Sequence, residues 1–299
     1  MAERVDVQFS SGGVDCAAWL YRPEPNGQAR PVPVVVMAHG LGATRTMHLA
    51  PFAERFAAAG LAVLVFDYRR FGDSAGAPRA VVSVADQVAD YLAAAAYARS
   101  RRGLDPNRVA LWGTSFAGGH VLAAAGRDPR VAAVVAQCPF TDGWASAKAA
   151  GLGAVARLAP LAVADSVRGA FGQEPVRVPV AGFPGTTALM TAVDALPGYR
   201  SLLPDGVPLR TVAARSGMRI AAARPGRKAA RVRCPMLVCV CEHDTVAPAE
   251  RTVRLTGRAP LADVRVYPYG HFDIYSGAPF ERVVTDQVEF LSRVLLPAG

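Results

Sequence analysis

Lysine is almost missing from this chain: of 33 basic side chains only Lys148 and Lys228 are lysines, and the rest are arginines. Against 24 acidic residues they leave a formal charge of +9. The arginines are scattered, and no zinc-finger, ribonucleoprotein or basic-zipper pattern organises them, so nucleic acid is not the expected partner. Heavy Arg, Ala, Gly and Pro usage reads as coding bias as much as a binding adaptation. Long apolar runs are missing as well. Residues 145–164 come nearest, and Lys148, Arg157 and Pro160 interrupt them, which excludes a membrane-spanning helix there. The segment from Met1 to Val7 passes straight into strand-like alternation with no apolar leader or small-residue cleavage site. The expectation is a cytoplasmic protein with no membrane partner. Cysteine is too sparse and too odd in number, at five, for a disulfide framework. Cys239 and Cys241 stand two apart on one face of a strand and read as buried thiols rather than metal ligands.

What is present in quantity is apolar: 52% of 299 residues, enough to exclude disorder for most of the chain and to fill a large core. Short runs rich in Val and Leu alternate with Ala-rich segments of helical period, the mark of a mostly parallel sheet covered on both faces. An antiparallel edge hairpin is expected around Val5–Phe9 and Val14–Tyr21. Further strands are expected at Val32–Ala38, Leu61–Phe66, Arg108–Trp112, Val131–Gln137, Met236–Cys241 and Val264–Tyr267. Ser83 with Asp86 opens one sheet-covering helix as a capping box. Phe280, Val284, Gln287, Val288, Leu291 and Leu295 mark the inner face of the last helix. Between Pro139 and Ala230 the alternation stops. That stretch, rich in Gly, Pro and Ala, contains no convincing strand and reads as an inserted cap, because connections that long are normally functional. The expected division is a core of residues 1–139 and 231–299 with a cap over 140–230.

The strongest chemical signal is Gly113-Thr114-Ser115-Phe116-Ala117, where a strand runs through a sharp turn into a helix. A serine at such an apex is held exposed above the sheet, and small residues two before and two after it let strand and helix approach. Met37-Ala38-His39-Gly40-Leu41-Gly42 follows another strand, so the Leu41 and Phe116 amides could face a developing oxyanion. A serine needs a histidine to take its proton and a carboxylate to orient that histidine. His271 follows the last strand and is the expected base. His39 reads as a structural hydrogen-bonder, His120 points away, His48 opens a helix and His243 sits on a rim. Asp244 follows the preceding strand and is the first choice for the acid, with Asp142 the second. No Walker sequence, dinucleotide fingerprint or zinc spacing is present, so no cofactor or metal is expected.

With these residues the chain resembles the α/β-hydrolase superfamily over nearly its whole length and in the order Ser, Asp, His. The resemblance implies a mostly parallel eight-stranded sheet flanked by helices. The segment Phe66-Asp67-Tyr68-Arg69-Arg70-Phe71-Gly72-Asp73-Ser74-Ala75-Gly76 also resembles the family's loop after the fourth strand, and its Gly and Asp turn chemistry gives it a structural role supporting the elbow. Three strings, Gly113–His120, Pro139–Gly143 and Gly270–Tyr275, are similar to a subgroup related to dienelactone hydrolases that includes fungal polyketide thiohydrolases and acyl transferases. Dienelactone hydrolase itself uses cysteine where this chain has Ser115. The resemblance implies a serine hydrolase that cuts a carboxylic ester or thioester through an acyl-enzyme. Acyl transfer, amide hydrolysis and a ligand receptor without turnover remain alternatives. Phe140, Trp144, Phe183 and Met190, with Leu152, Leu158, Phe171 and Leu189, are the expected apolar lining of an acyl pocket. An acidic acyl carrier protein is a conceivable partner for Arg224, Arg227, Lys228, Arg231 and Arg233, expected beside the mouth of the site.

Overall fold

The computed structural model describes residues 3–24 and 31–296. Met1 and Ala2, which entered the reading of the N-terminus, lie outside them. Among the described residues there are ten strands: β1 Glu3–Ser11, β2 Val14–Arg22, β3 Val32–Ala38, β4 Ala62–Phe66, β5 Leu104–Thr114, β6 Ala133–Gln137, β7 Arg177–Pro179, β8 Thr211–Ala213, β9 Met236–Cys241 and β10 Ala262–Tyr267. The helices are α1 Ala50–Ala58, α2 Val84–Ser100, α3 Phe116–Ala125, α4 Gly143–Ala150, α5 Leu152–Ala170, α6 Ala195–Ser201, α7 Ser216–Ala222, α8 Ala249–Thr256 and α9 Gly277–Leu295.

Eight strands form one sheet in the order β1-β2-β4-β3-β5-β6-β9-β10. The first two make the antiparallel edge hairpin, and β2 joins β4 antiparallel; every later pairing is parallel. Strand β9 is buried from end to end and β3 from Pro33 onward, as a sheet covered on both faces requires. Helices α2 and α3 pack side by side, and α1 packs with α9. The Ser83 hydroxyl accepts from the Asp86 amide at 3.3 Å and starts α2 where the capping pattern placed it.

Parallel register decides where the chemistry can sit. Ala38 pairs with Gly113, Gly113 with Ala136, Gln137 with Cys239, and Cys241 with Tyr267. The C-terminal ends of β3, β5, β6, β9 and β10 therefore share one sheet edge, and so do the loops holding Leu41, Ser115, Asp142, Asp244 and His271. Residues 140–230 contain α4 to α7 and cross that edge. The absence of strands expected there is corrected by β7 and β8, which pair antiparallel over three residues each. Runs that short, one ending in Pro179, cannot show a period of two.

One buried chain of side chains ties the last helix to the middle of the sheet. Trp112 Nε1 donates to Gln287 Oε1 at 2.9 Å, Gln287 Nε2 to Gln137 Oε1 at 2.7 Å, and Gln137 Nε2 to Thr114 Oγ1 at 3.1 Å. Thr114 precedes Ser115 and also meets the Tyr275 hydroxyl at 2.5 Å.

Candidate active site

Ser115 sits between β5 and α3 at φ +56°, ψ −117°, in a backbone region that L residues rarely occupy. Its amide donates to Gln137 O at 2.9 Å, and its carbonyl accepts from Gly118 and Phe140 amides at 3.0 and 2.8 Å, so both flanks of the turn are fixed. A Cβ on Gly113 would come within 2.4 Å of Ala117 O, which is why only glycine fits two residues before the serine. Gly40 lies directly opposite: a Cβ there would stand 3.1 Å from Ser115 Cβ.

His271 is buried, with Nε2 3.0 Å from Ser115 Oγ and Nδ1 2.7 Å from Asp244 Oδ2. With Nδ1–H donating to the carboxylate, Nε2 is left to accept from the serine hydroxyl. Asp244 is itself anchored, because Oδ1 accepts from the Val246 and Ala247 amides at 2.8 and 2.6 Å. Burial alone would push the His271 imidazole down. The Asp244 charge outweighs that and holds its pKa well above the ordinary value near 6.5.

The other candidates are placed elsewhere. Asp142 caps the N-terminus of α4, accepting from the Trp144 amide at 3.0 Å, and pairs with Arg251 at 2.8 Å and Arg224 at 3.1 Å. Its carboxylate is committed to those partners and does not reach His271. His120 is bonded to Gln87 across the α2–α3 contact at 2.9 Å, and burial pushes it down to about 3. His39 Nδ1 donates to Gly40 O at 3.0 Å, His48 Nδ1 faces Leu202 O at 3.5 Å, and His243 is exposed. Asp67 binds the Arg45 amide at 2.7 Å and the Asp73 amide at 3.1 Å, which holds the loop beneath the elbow.

Leu41 N–H makes no hydrogen bond within the described residues, and Phe116 N–H belongs to the first turn of α3, whose amides have no intrahelical acceptor. Both lie beside Ser115. Leu41, Ser115 and Phe116 line a cavity of about 190 Å³ that runs under α4, α5 and α7. Phe140 and Met190 are in its wall, as are Leu158 and Leu189. Trp144 and Phe183 are not, and are corrected: they are 69% and 57% exposed. Leu152 and Phe171 also face outward. The reading missed Met218, Ile220, Ala221 and the run Thr245–Ala247 in the same wall. Ala147, Ala150, Ala154, Leu158 and Ala162 recur three or four residues apart, a helical spacing that could have marked the cavity face in advance. A smaller chamber of about 30 Å³ lies on the His271 side, bounded by Gly40, Met47, Tyr199, Leu202 and Phe272.

Cys138, after β6, was not foreseen as a neighbour of this group. Its Sγ, an Asp244 oxygen and a His271 nitrogen lie within 4.8 Å of one another, and among the described residues this is the trio whose atom types and spacing could hold a metal ion. The cationic cluster is also placed differently from its expectation. Arg224 is spent on Asp142, Pro225 packs against Gly119, and Arg231 packs against Gly126 at the far end of α3. The cluster thus runs along the flank of α3 away from Ser115.

A family model described as X-Pro dipeptidyl-peptidase (S15 family) matches residues 12–177. The quorum-quenching protein AidA of Acinetobacter baumannii is 50% identical over 292 residues, covering 97% of this chain and 95% of that one. The thiohydrolase aneE of Aspergillus aculeatus is 27% identical over 97% of this chain and 93% of its own. Among solved structures, the α/β hydrolase GrgF from a Penicillium species superposes with a TM-score of 0.81 at 22% identity, over 98% of this chain and 99% of that one.

Proposed function

Because the chain belongs to the X-Pro dipeptidyl-peptidase (S15) family of α/β hydrolases, we propose that it cuts a carboxylic ester or thioester of an apolar acyl group, with Ser115 as nucleophile. The observation that carries this reading is the hydrogen-bonded line Asp244–His271–Ser115 opening onto an apolar cavity. His271 takes the proton as Ser115 Oγ attacks the acyl carbon. The oxygen of the tetrahedral intermediate gains negative charge, and the Leu41 and Phe116 amides donate to it. His271 then gives its proton to the departing alcohol or thiol in the smaller chamber. Water, activated by the same imidazole, releases the acid and restores Ser115. Residues 140–230 act as the cap that closes over the acyl chain and excludes water.

The cavity wall argues for esters over dipeptides. A dipeptidyl substrate presents a free ammonium group, and none of the residues lining the cavity carries a charged side chain. Quorum-quenching, the description of the half-identical relative, supports a small diffusible substrate, since a linear or cyclic ester is a bond this arrangement opens. Acyl transfer uses the same acyl-enzyme, and product analysis in the presence of alcohol acceptors separates it from hydrolysis.

Chain length tests the reading directly. In a series of nitrophenyl esters, kcat/KM is expected to rise by up to about fourfold for each methylene that enters the cavity, the equivalent of about 0.8 kcal/mol. Ala154→Phe, which adds a ring inside the wall, is expected to move the optimum to shorter chains while short esters react as before. A flat profile in both proteins would remove the cavity from the acyl site. Labelling of the wild type by a fluorophosphonate tests the nucleophile in parallel.

A further inference from the structure

Helix α5 is apolar on both long faces, and the fold uses only the inner one. Leu158 and Ala162 turn inward onto the cavity, and Asp165 is buried, accepting from the Val176 and Arg215 amides at 2.8 Å each. Outward, Leu152, Ala156, Val163, Val167 and Ala170 follow one another at spacings of four, seven, four and three residues and form one stripe along a 19-residue helix. Leu152 is 88% exposed, Val163 and Val167 each 55%, and Phe171 beyond the helix end 76%. A surface helix of a water-facing protein carries polar residues at such positions, and a contiguous apolar face marks a surface that something covers.

The charges beside that stripe indicate what covers it. Lys148, Arg157 and Arg168 are exposed there. The acids of the two helices are withdrawn: Asp165 lies beneath α5, and Asp142 is buried at the head of α4 in its arginine pairs. Glu174 is exposed, but lies past the end of α5. Over residues 140–230 eleven basic residues stand against five acidic ones. A second copy of this chain would set these cations against their own kind, whereas anionic lipid headgroups complement them.

We propose that the outer face of α4 and α5 docks on an anionic lipid surface, with α5 lying in the headgroup plane, its apolar stripe toward the acyl chains and its cations among the phosphates. The expectation of no membrane partner rested on the lack of a spanning segment; a helix lying on the surface needs none. This inference goes beyond the acyl chemistry and does not depend on which bond is cut. It has a consequence for that chemistry, because the other side of the same helix lines the cavity. A substrate dissolved in the lipid is about one helix diameter, some 10 Å, from the acyl site.

Flotation of the full-length protein with vesicles of equal parts phosphatidylglycerol and phosphatidylcholine, against pure phosphatidylcholine vesicles, reads the docking without any turnover. The wild type is expected to float with the anionic vesicles, less so as salt rises. Combining Leu152→Gln, Val163→Gln, Val167→Gln and Phe171→Ser should lower the bound fraction by about tenfold or more, and Arg157→Glu with Arg168→Glu should do the same. None of these six side chains lines the cavity, so hydrolysis of a soluble short-chain ester should stay at the wild-type level and report correct folding. If the apolar variant misfolds, the charge-reversed one decides alone. No wild-type binding, equal binding to neutral vesicles, or binding retained in the folded variants overturns the proposal. A wild-type dimer that the apolar variant dissolves, with no vesicle binding, also overturns it and gives the face to a second copy.

Discussion

Ser115→Ala is expected to leave a folded protein whose turnover of an activated ester falls by about four to six decades, the scale on which removal of a serine nucleophile acts. The loss should be almost purely chemical. The hydroxyl makes one side-chain hydrogen bond, to His271, and the strained turn is held by backbone contacts to Gln137, Gly118 and Phe140 that alanine keeps. Alanine meets the same cost at φ +56° as serine, so the melting temperature should hardly move. Fluorophosphonate labelling should vanish together with turnover. A folded Ser115→Ala protein that still hydrolyses the ester at more than a few per cent of wild type would place the nucleophile elsewhere.

Asp244→Asn should cost about three to four decades in kcat, because an asparagine can no longer hold His271 in the tautomer that leaves Nε2 free to accept. It should also change the shape of the pH profile. The base works neutral, so kcat/KM rises as pH climbs through the His271 pKa. In the wild type Asp244 keeps that pKa above its ordinary value, which places the rising limb on the alkaline side of 6.5. Without the carboxylate the largest influence raising the pKa is lost and only the neighbouring Cys138 still opposes burial, so the residual activity should have its rising limb at lower pH. Asp142→Asn is the control: asparagine keeps an oxygen that can cap α4, so the change mainly removes the charge that two arginines pair with, and the pH limb should stay where it was. An unmoved limb in Asp244→Asn together with a shifted one in Asp142→Asn would reverse the two assignments.

The parts of this molecule that could be read from sequence are those governed by local periodicity. Val32–Ala38 and Met236–Cys241 were legible to the residue, since strands buried on both faces are apolar throughout. β5 starts four residues earlier than expected, at Leu104, because Asp105, Pro106 and Asn107 look like a turn and nevertheless continue the strand. Asp244 and His271 could be chosen because both follow strands that the parallel topology sends to one edge. In the 140–230 segment that logic fails. Whether Trp144 or Phe140 faces a cavity depends on how α4 and α7 pack, and residue type alone says only that both are apolar. Cys138 and Tyr199 beside the site were invisible for a related reason: nothing local distinguishes a thiol or phenol that borders a triad from one that fills a core.

The chain of amides through Gln287 also sets an order in time. The polypeptide is made from the N-terminus, so β5, the serine turn and β6 exist long before α9 does. Until α9 emerges, Trp112 Nε1 lacks its acceptor and Gln137 lacks the amide that orients it toward Thr114. His271, too, arrives only six residues before that helix begins. On the proposed reading, a partly synthesised chain therefore holds Ser115 without the histidine that would activate it, and the site is assembled only when the last helix has closed over the sheet.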